Sequence, residues 1–220
     1  MIRLPFKNRE EAARVLAARL ADERGPCVVL ALPRGGVPIG AVIARALHAP
    51  LDLLLVRKIG APWQRELAVA ALVDVGRPEL VIDEGIAAAT GASRSYIDEE
   101  AKAEWQEIQR RRELYLRGHA AVPIEGATVI VVDDGIATGT TMRAALEALR
   151  RRRADRVVMA VPVAPHDRVL ALSRKVDRVV CLAEPEPFHA VGLHYQDFHQ
   201  VSDEEVIAAL DAAALPPPGD

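Results

Sequence analysis

Aromatic side chains are few in this sequence, only 4% of 220 residues. Cysteine is rarer. Cys27 and Cys181 stand alone, each beside an apolar, strand-like run (CVVLAL and VVCLA), which excludes a disulfide framework and reads as two buried free thiols. No apolar run approaches the roughly 18 residues that a membrane-spanning helix needs, and the opening MIRLPFKNREE has no signal-peptide core. A cytoplasmic protein without membrane partners is the expectation. An excess of one charge is also missing: 28 Lys and Arg face 31 Asp and Glu, a net charge of -3 that gives no general attraction to nucleic acid. There is no internal repeat and no low-complexity linker. What remains is an ordinary globular composition long enough for one sizeable core, so 1–220 reads as a single domain.

The informative stretch is Thr128 to Met142, TVIVVDDGIATGTTM. Val129-Ile130-Val131-Val132, apolar without alternation, suits a strand buried on both faces of a parallel sheet. Asp133 and Asp134 stand where that strand emerges. A small-residue turn follows, Gly135-Ile136-Ala137-Thr138-Gly139-Thr140-Thr141, and then a helical pattern to Arg150. A strand, a glycine- and threonine-rich turn and a helix start form an anion site, because backbone N–H groups and the helix dipole converge there. The two acids would repel that anion, so they need another partner, either vicinal sugar hydroxyls or a magnesium ion. A phosphate pocket beside two carboxylates is what a ribose 5-phosphate requires. No Lys follows the second glycine, so this is no Walker A loop, and Gly35-Gly36-Val37-Pro38-Ile39-Gly40 has the wrong spacing for a dinucleotide fingerprint.

The run VIVVDDGIATGTT resembles the PRPP-binding motif of the type I phosphoribosyltransferases, and strand-plus-loop patterns extend the resemblance over roughly residues 25 to 200. It implies that Asp133 and Asp134 hold the ribose hydroxyls and that Gly135, Ile136, Ala137, Thr138, Gly139, Thr140 and Thr141 wrap the 5-phosphate. It also implies that the turn after the first core strand, Arg34-Gly35-Gly36, binds pyrophosphate through a loop that often carries a strained peptide bond. Magnesium enters with PRPP, with Asp133 and Asp134 as its only protein ligands in view. Replacing both acids by Asn is then expected to abolish turnover and spare the fold.

Elsewhere the pattern is strand–helix alternation. Asn8 caps a helix over about 9–24, Cys27–Leu32 and Leu51–Val56 read as buried strands, and a helix runs over about 38–47. Arg57 and Lys58 end the second strand, at the sheet edge where α/β ligands bind, and are assigned to the pyrophosphate as catalytic cations. Leu67–Val73 and Glu79–Ile82 look like two short strands, and the resemblance implies that about 59–82 is a flexible flap. Ser93 caps a long helix to about Leu116, a candidate homodimer contact. Asp155–Val161 and Asp177–Leu182 are further strands, with a helix opened by Pro165 between them. The arginines at 150–153 read as a solvated helix end. The expected architecture is α/β, a Rossmann-like, mostly parallel sheet with helices on both faces. It has a core of about 25–182 and a C-terminal hood of about 183–201 to which the N-terminus could contribute.

That hood, EPEPFHAVGLHYQDFHQV, gathers Phe188, Tyr195 and Phe198. The resemblance implies acceptor contacts from Phe188, Val191 and Asp197, as in the purine enzymes, although the spacing departs by one residue on each side of Gly192. The position that carries an Asp in the 6-oxopurine enzymes is Ala137 here, which disfavours hypoxanthine or guanine. His189, His194 and His199 are spaced by five and suit no metal site. Two alternatives stay open beside transfer to a nitrogenous base: a PRPP-sensing binding protein, and a PRPP or nucleotide hydrolase. The first is opposed by the overall charge and by an N-terminal helix too short for a helix-turn-helix.

Overall fold

Apolar runs of β-branched residues pair as parallel strands here, and amphipathic segments between them cover both faces of the resulting sheet. The computed structural model describes residues 3–118 and 120–213; the expected frayed tail from Leu215 onward lies outside them. In chain order the elements are α1 (Arg9–Leu20), β1 (Cys27–Ala31), α2 (Gly36–Leu47), β2 (Leu51–Leu53), β3 (Leu55–Ala61), β4 (Gln64–Asp74), β5 (Pro78–Ile82) and α3 (Glu84–Thr90). They continue with α4 (Arg94–Leu116), β6 (Thr128–Val132), α5 (Thr140–Arg150), β7 (Arg156–Val163), α6 (His166–Ser173), β8 (Arg178–Ala183), a 3-10 turn (Val191–His194) and α7 (Asp203–Ala213).

The main sheet is parallel, in the order β2-β1-β6-β7-β8. Its central strand β6 is buried along its whole length. On one face Val131 and Met159 pack with Met142 and Leu146 of α5; on the other Ile130 and Val158 pack with Leu16 of α1 and Ile43 of α2. The alternation of strand side chains between faces and the helical spacing of the α5 stripe thus meet as the sequence implies.

The second strand departs from expectation. It does not run on to Val56 but stops at Leu53. After one residue, Leu54, whose N–H donates to the Ala31 carbonyl (2.9 Å), the chain enters a separate antiparallel sheet, β3-β4-β5. The segment expected to form a flap thus belongs to an antiparallel sheet that begins at Leu55, and Arg57 and Lys58 lie in its first strand. Pro62 and Trp63 form the tip of its first hairpin, with Trp63 95% exposed. Successive residues of a strand face opposite ways. Ile59 and Ala61 accordingly pack toward Ile97 of α4, and Val56 toward the α5 side. The long helix turns its Ile108, Tyr115 and Leu116 inward against β3 and α7. Arg151 donates to the Leu80 carbonyl (3.1 Å) and Arg153 pairs with Glu125 (3.3 Å), which ties the basic run to neighbouring elements.

Both thiols are free and partly buried. Burial, then the nearby Glu184, pushes Cys181 up to about 12, and burial likewise raises Cys27. Because the thiolate is the reactive form, native protein at pH 8 is expected to alkylate slowly at Cys181 and quickly after denaturation. Rapid native labelling of Cys181, followed by mass, would contradict this burial.

Candidate active site

The buried strand β6 carries Asp133 and Asp134 out at its carboxyl end, and the two acids have different surroundings. The Asp133 carboxylate accepts the Asp134 N–H (2.8 Å) and has no cation partner among the described residues. Burial, and then the neighbouring Asp134 charge, pushes it well above the usual carboxylate range. Burial raises Asp134 too, but the Arg9 guanidinium pulls it part of the way back. Arg9 Nε and Nη2 both lie 2.9 Å from the same oxygen, Asp134 Oδ2. Arg9 itself is only 7% exposed. Its Nη1 donates to the His199 carbonyl (2.9 Å), and its guanidinium lies 4.0 Å from the centre of the Phe198 ring. The Tyr195 hydroxyl donates to the Asp134 carbonyl (2.6 Å).

The turn that follows is pinned at one point and open elsewhere. Ile136 is buried, and its N–H donates to the Val163 carbonyl of β7 (2.9 Å). Beyond it the N–H groups of residues 137 to 141 meet no acceptor among the described residues, and α5 starts at Thr140. Gly139 takes φ 77°, a left-handed conformation that favours glycine and turns the chain into the helix. Ala137 and Thr138 are exposed, and the Thr138 and Thr140 hydroxyls lie 3.4 Å apart. Successive free N–H groups at a helix start make an anion-binding concavity.

Facing the acids is the turn after β1. A Cβ on Gly35 would stand 1.9 Å from Asp134 Oδ2, and one on Gly36 would stand 2.7 Å from the Val132 carbonyl oxygen, so both positions demand glycine for room. The Gly36 N–H is already held by the Leu32 carbonyl (3.0 Å), which leaves the N–H groups of Arg34 and Gly35 as the available donors. The Pro33–Arg34 peptide is cis. Arg34 pairs loosely with Asp203 (3.5 Å). Arg9, Arg34, Gly35, Asp134 and Phe198 line one cleft of about 300 Å³. Of the two flap cations, Arg57 is turned toward α4, where its Nε donates to Glu104 (2.6 Å). It lines a small cavity of about 30 Å³ with Pro33, Arg111 and Thr141. Lys58 is exposed on the opposite face of β3, without an ion pair among the described residues.

The sequence profile of the phosphoribosyl transferase domain matches residues 5–197. The chain belongs to the phosphoribosyl transferase family. Proteins from two strains of Mycobacterium tuberculosis, provisionally named as phosphoribosyl transferases, are 45% identical over 209 residues, which is 94% of this chain and 47% of each of them. The chain thus spans about half the length of the curated relatives it matches. A crystal structure of TT1426 from Thermus thermophilus is 41% identical with a TM-score of 0.82, covering 94% of this chain and 98% of that one. A Staphylococcus aureus hypoxanthine phosphoribosyltransferase follows at 16% identity and TM-score 0.46, over 84% of this chain and 78% of that one; it is too distant to bear on the acceptor.

For a phosphoribosyl transferase the hood is the place of interest, and the structure separates its three expected residues. Phe188 lines a cavity of about 620 Å³ together with Ala137, Thr138, Pro165 and His189, directly beside the open turn. Val191 packs against Gly135, where a Cβ would come within 2.5 Å of its methyl group. Asp197 is exposed, holds the His199 ring (3.1 Å) and does not line that cavity. Sequence reasoning missed Arg9 and Arg111. Arg9 did leave a signal: a cation in the first helical turn opposes the helix dipole, beside Glu10 and Glu11 that suit it. Magnesium fits what is present. Among the described residues no three metal-ligating side chains converge, and two adjacent carboxylates suit an ion that keeps its waters and takes its other ligands from phosphate oxygens.

Proposed function

We propose that this chain transfers ribose 5-phosphate from PRPP to a nitrogenous base and releases pyrophosphate, with magnesium bound alongside the donor. The observation that carries the proposal is the run of five free N–H groups, residues 137–141, beside the acid pair and opposite the Arg34–Gly35 turn. In this reading the turn takes the 5-phosphate, Asp133 and Asp134 take the ribose hydroxyls, and Arg34 with the Gly35 N–H takes the pyrophosphate. Arg57 and Lys58 lie on the flap strand above, where their charge favours the departing group. Magnesium, when bound, neutralises phosphate charge. The bond from the anomeric carbon to the pyrophosphate oxygen breaks, and one to a base nitrogen forms. Positive charge that grows on the sugar is met by the two carboxylates, and the antiparallel flap restricts water. The acceptor belongs in the cavity beside Phe188, where Ala137 supplies no proton-transferring group.

The test is incubation with PRPP and magnesium against a panel of bases and small amines, following pyrophosphate. Release that depends on one acceptor is expected. Tight PRPP binding without release for any acceptor would favour a sensing role, and release without an acceptor would favour hydrolysis; either result overturns the transfer reaction.

A further inference from the structure

We propose that Arg9, from the first turn of the N-terminal helix, is a second anion-holding residue of this centre and grips the pyrophosphate end of the donor together with Arg34. The inference rests on the reading of the Arg34–Gly36 turn given above. A guanidinium carries five N–H donors in a rigid fork. Two of the Arg9 donors are directed to Asp134 Oδ2 and one to the His199 carbonyl, which leaves one hydrogen on each terminal nitrogen. Arg9 and Arg34 border the same cleft, and Arg34 has only a loose partner in Asp203 at 3.5 Å. An oxyanion entering beside Gly35 therefore meets two guanidiniums. Without Arg9 it would meet the bare Asp134 carboxylate, which repels it. The Phe198 ring on one face and the His199 carbonyl at one end hold the Arg9 fork in place at the border of that cleft. An arginine needed only to tie the helix to the hood has no reason to border a cleft shared with Arg34 and Gly35.

The experiment is calorimetric binding of two separate probes, inorganic pyrophosphate and ribose 5-phosphate, to wild-type protein, Arg9→Gln and Arg9→Lys. Arg9→Gln is expected to weaken pyrophosphate on the order of 10- to 100-fold, the usual worth of a charged hydrogen bond, and to weaken ribose 5-phosphate, which meets Arg9 only through Asp134, clearly less. Arg9→Lys is expected to recover part of the loss. Unchanged pyrophosphate affinity, or equal loss of both probes in a folded variant, overturns the proposal and leaves Arg9 a structural tie. Wild-type protein that binds neither probe overturns instead the site assignment on which the proposal stands. Should Arg9→Gln fail to fold, a crystal of wild-type protein with pyrophosphate decides: no phosphate oxygen within hydrogen-bond distance of Arg9 refutes the assignment.

Discussion

Asp134→Asn is expected to reduce turnover on the order of 100-fold or more and to destabilise the fold, by less than the full ~3 to 5 kcal/mol of an orphaned buried charge because burial also disfavours the Asp134 carboxylate, whereas Asp133→Asn reduces turnover alike but stabilises the fold. The two acids look interchangeable in sequence and differ in what surrounds them. Asp134 balances the charge of Arg9, a nearly buried cation with no other carboxylate in contact among the described residues, and the pair stands out of water. Neutralising the acid leaves the guanidinium unpaired, and an orphaned buried charge is far more costly than the net worth of the pair. Asp133 has no cation partner among the described residues, and its folded pKa is raised from an ordinary 3.8. A carboxyl with a raised folded pKa binds its proton more tightly in the native state. Stability is therefore greatest below 3.8 and falls as pH rises through the folded value. The gain from Asp133→Asn should accordingly be absent in acid and grow toward neutral pH. Denaturant titrations across pH, beside turnover assays, check both halves. Equal stability effects from the two substitutions would sink the distinction. The double replacement, expected from sequence to spare the fold, combines the two opposite effects.

The second large effect is expected where the flap joins α4. Arg112 Nη1 lies 2.8 Å from Asp74 Oδ2, and Asp74, 2% exposed, also accepts the Gly76 N–H (3.0 Å). Arg112→Ala leaves that carboxylate buried with one hydrogen bond and no counter-charge, a loss of about 3 to 5 kcal/mol. Arg112→Met combined with Asp74→Leu should cost clearly less than Arg112→Ala, since it removes both charges and leaves only the Gly76 N–H unmatched. A double-mutant cycle from equilibrium unfolding measures the coupling. A cost under about 1 kcal/mol for Arg112→Ala, the level of an exposed pair, would mean that water screens the bridge.

Much of this was legible before any coordinates, because the strongest sequence signals are local. The buried run at 129–132, the acid pair and the glycine-threonine turn depend on neighbours in sequence, and they fell where strand period and turn chemistry put them. Ser93 and Asn8 likewise cap the helices expected of them, each side chain accepting an N–H three residues on. Two helices were passed over although their caps are written plainly. Asp83 accepts from the Ile86 N–H before α3. Ser202 and Glu205 exchange side-chain and backbone hydrogen bonds before α7, a capping box. Leu51 to Val56 misled because a continuous apolar run does not reveal that the chain changes sheets at Leu54. Arg9 showed only as a cation out of place against the helix dipole. Its partners are 125 and 190 positions away, and no periodicity carries information over that distance.

That separation bears on the order in which the protein comes together. The Phe6 N–H donates to the His194 carbonyl, and the N–H groups of Gln196 and Asp197 return to the carbonyls of Phe6 and Lys7. Residues made early thus wait for residues made late. Closing so long a loop is entropically slow, whereas the strand and turn bearing the acids need only near neighbours. During synthesis on the ribosome Arg9 has neither its aromatic face nor its carbonyl, and Asp134 has no Tyr195 hydroxyl, until the hood emerges. The centre is therefore completed only after the hood has been made, and a nascent chain that stops at the eighth strand holds its acid pair without the seam that encloses it.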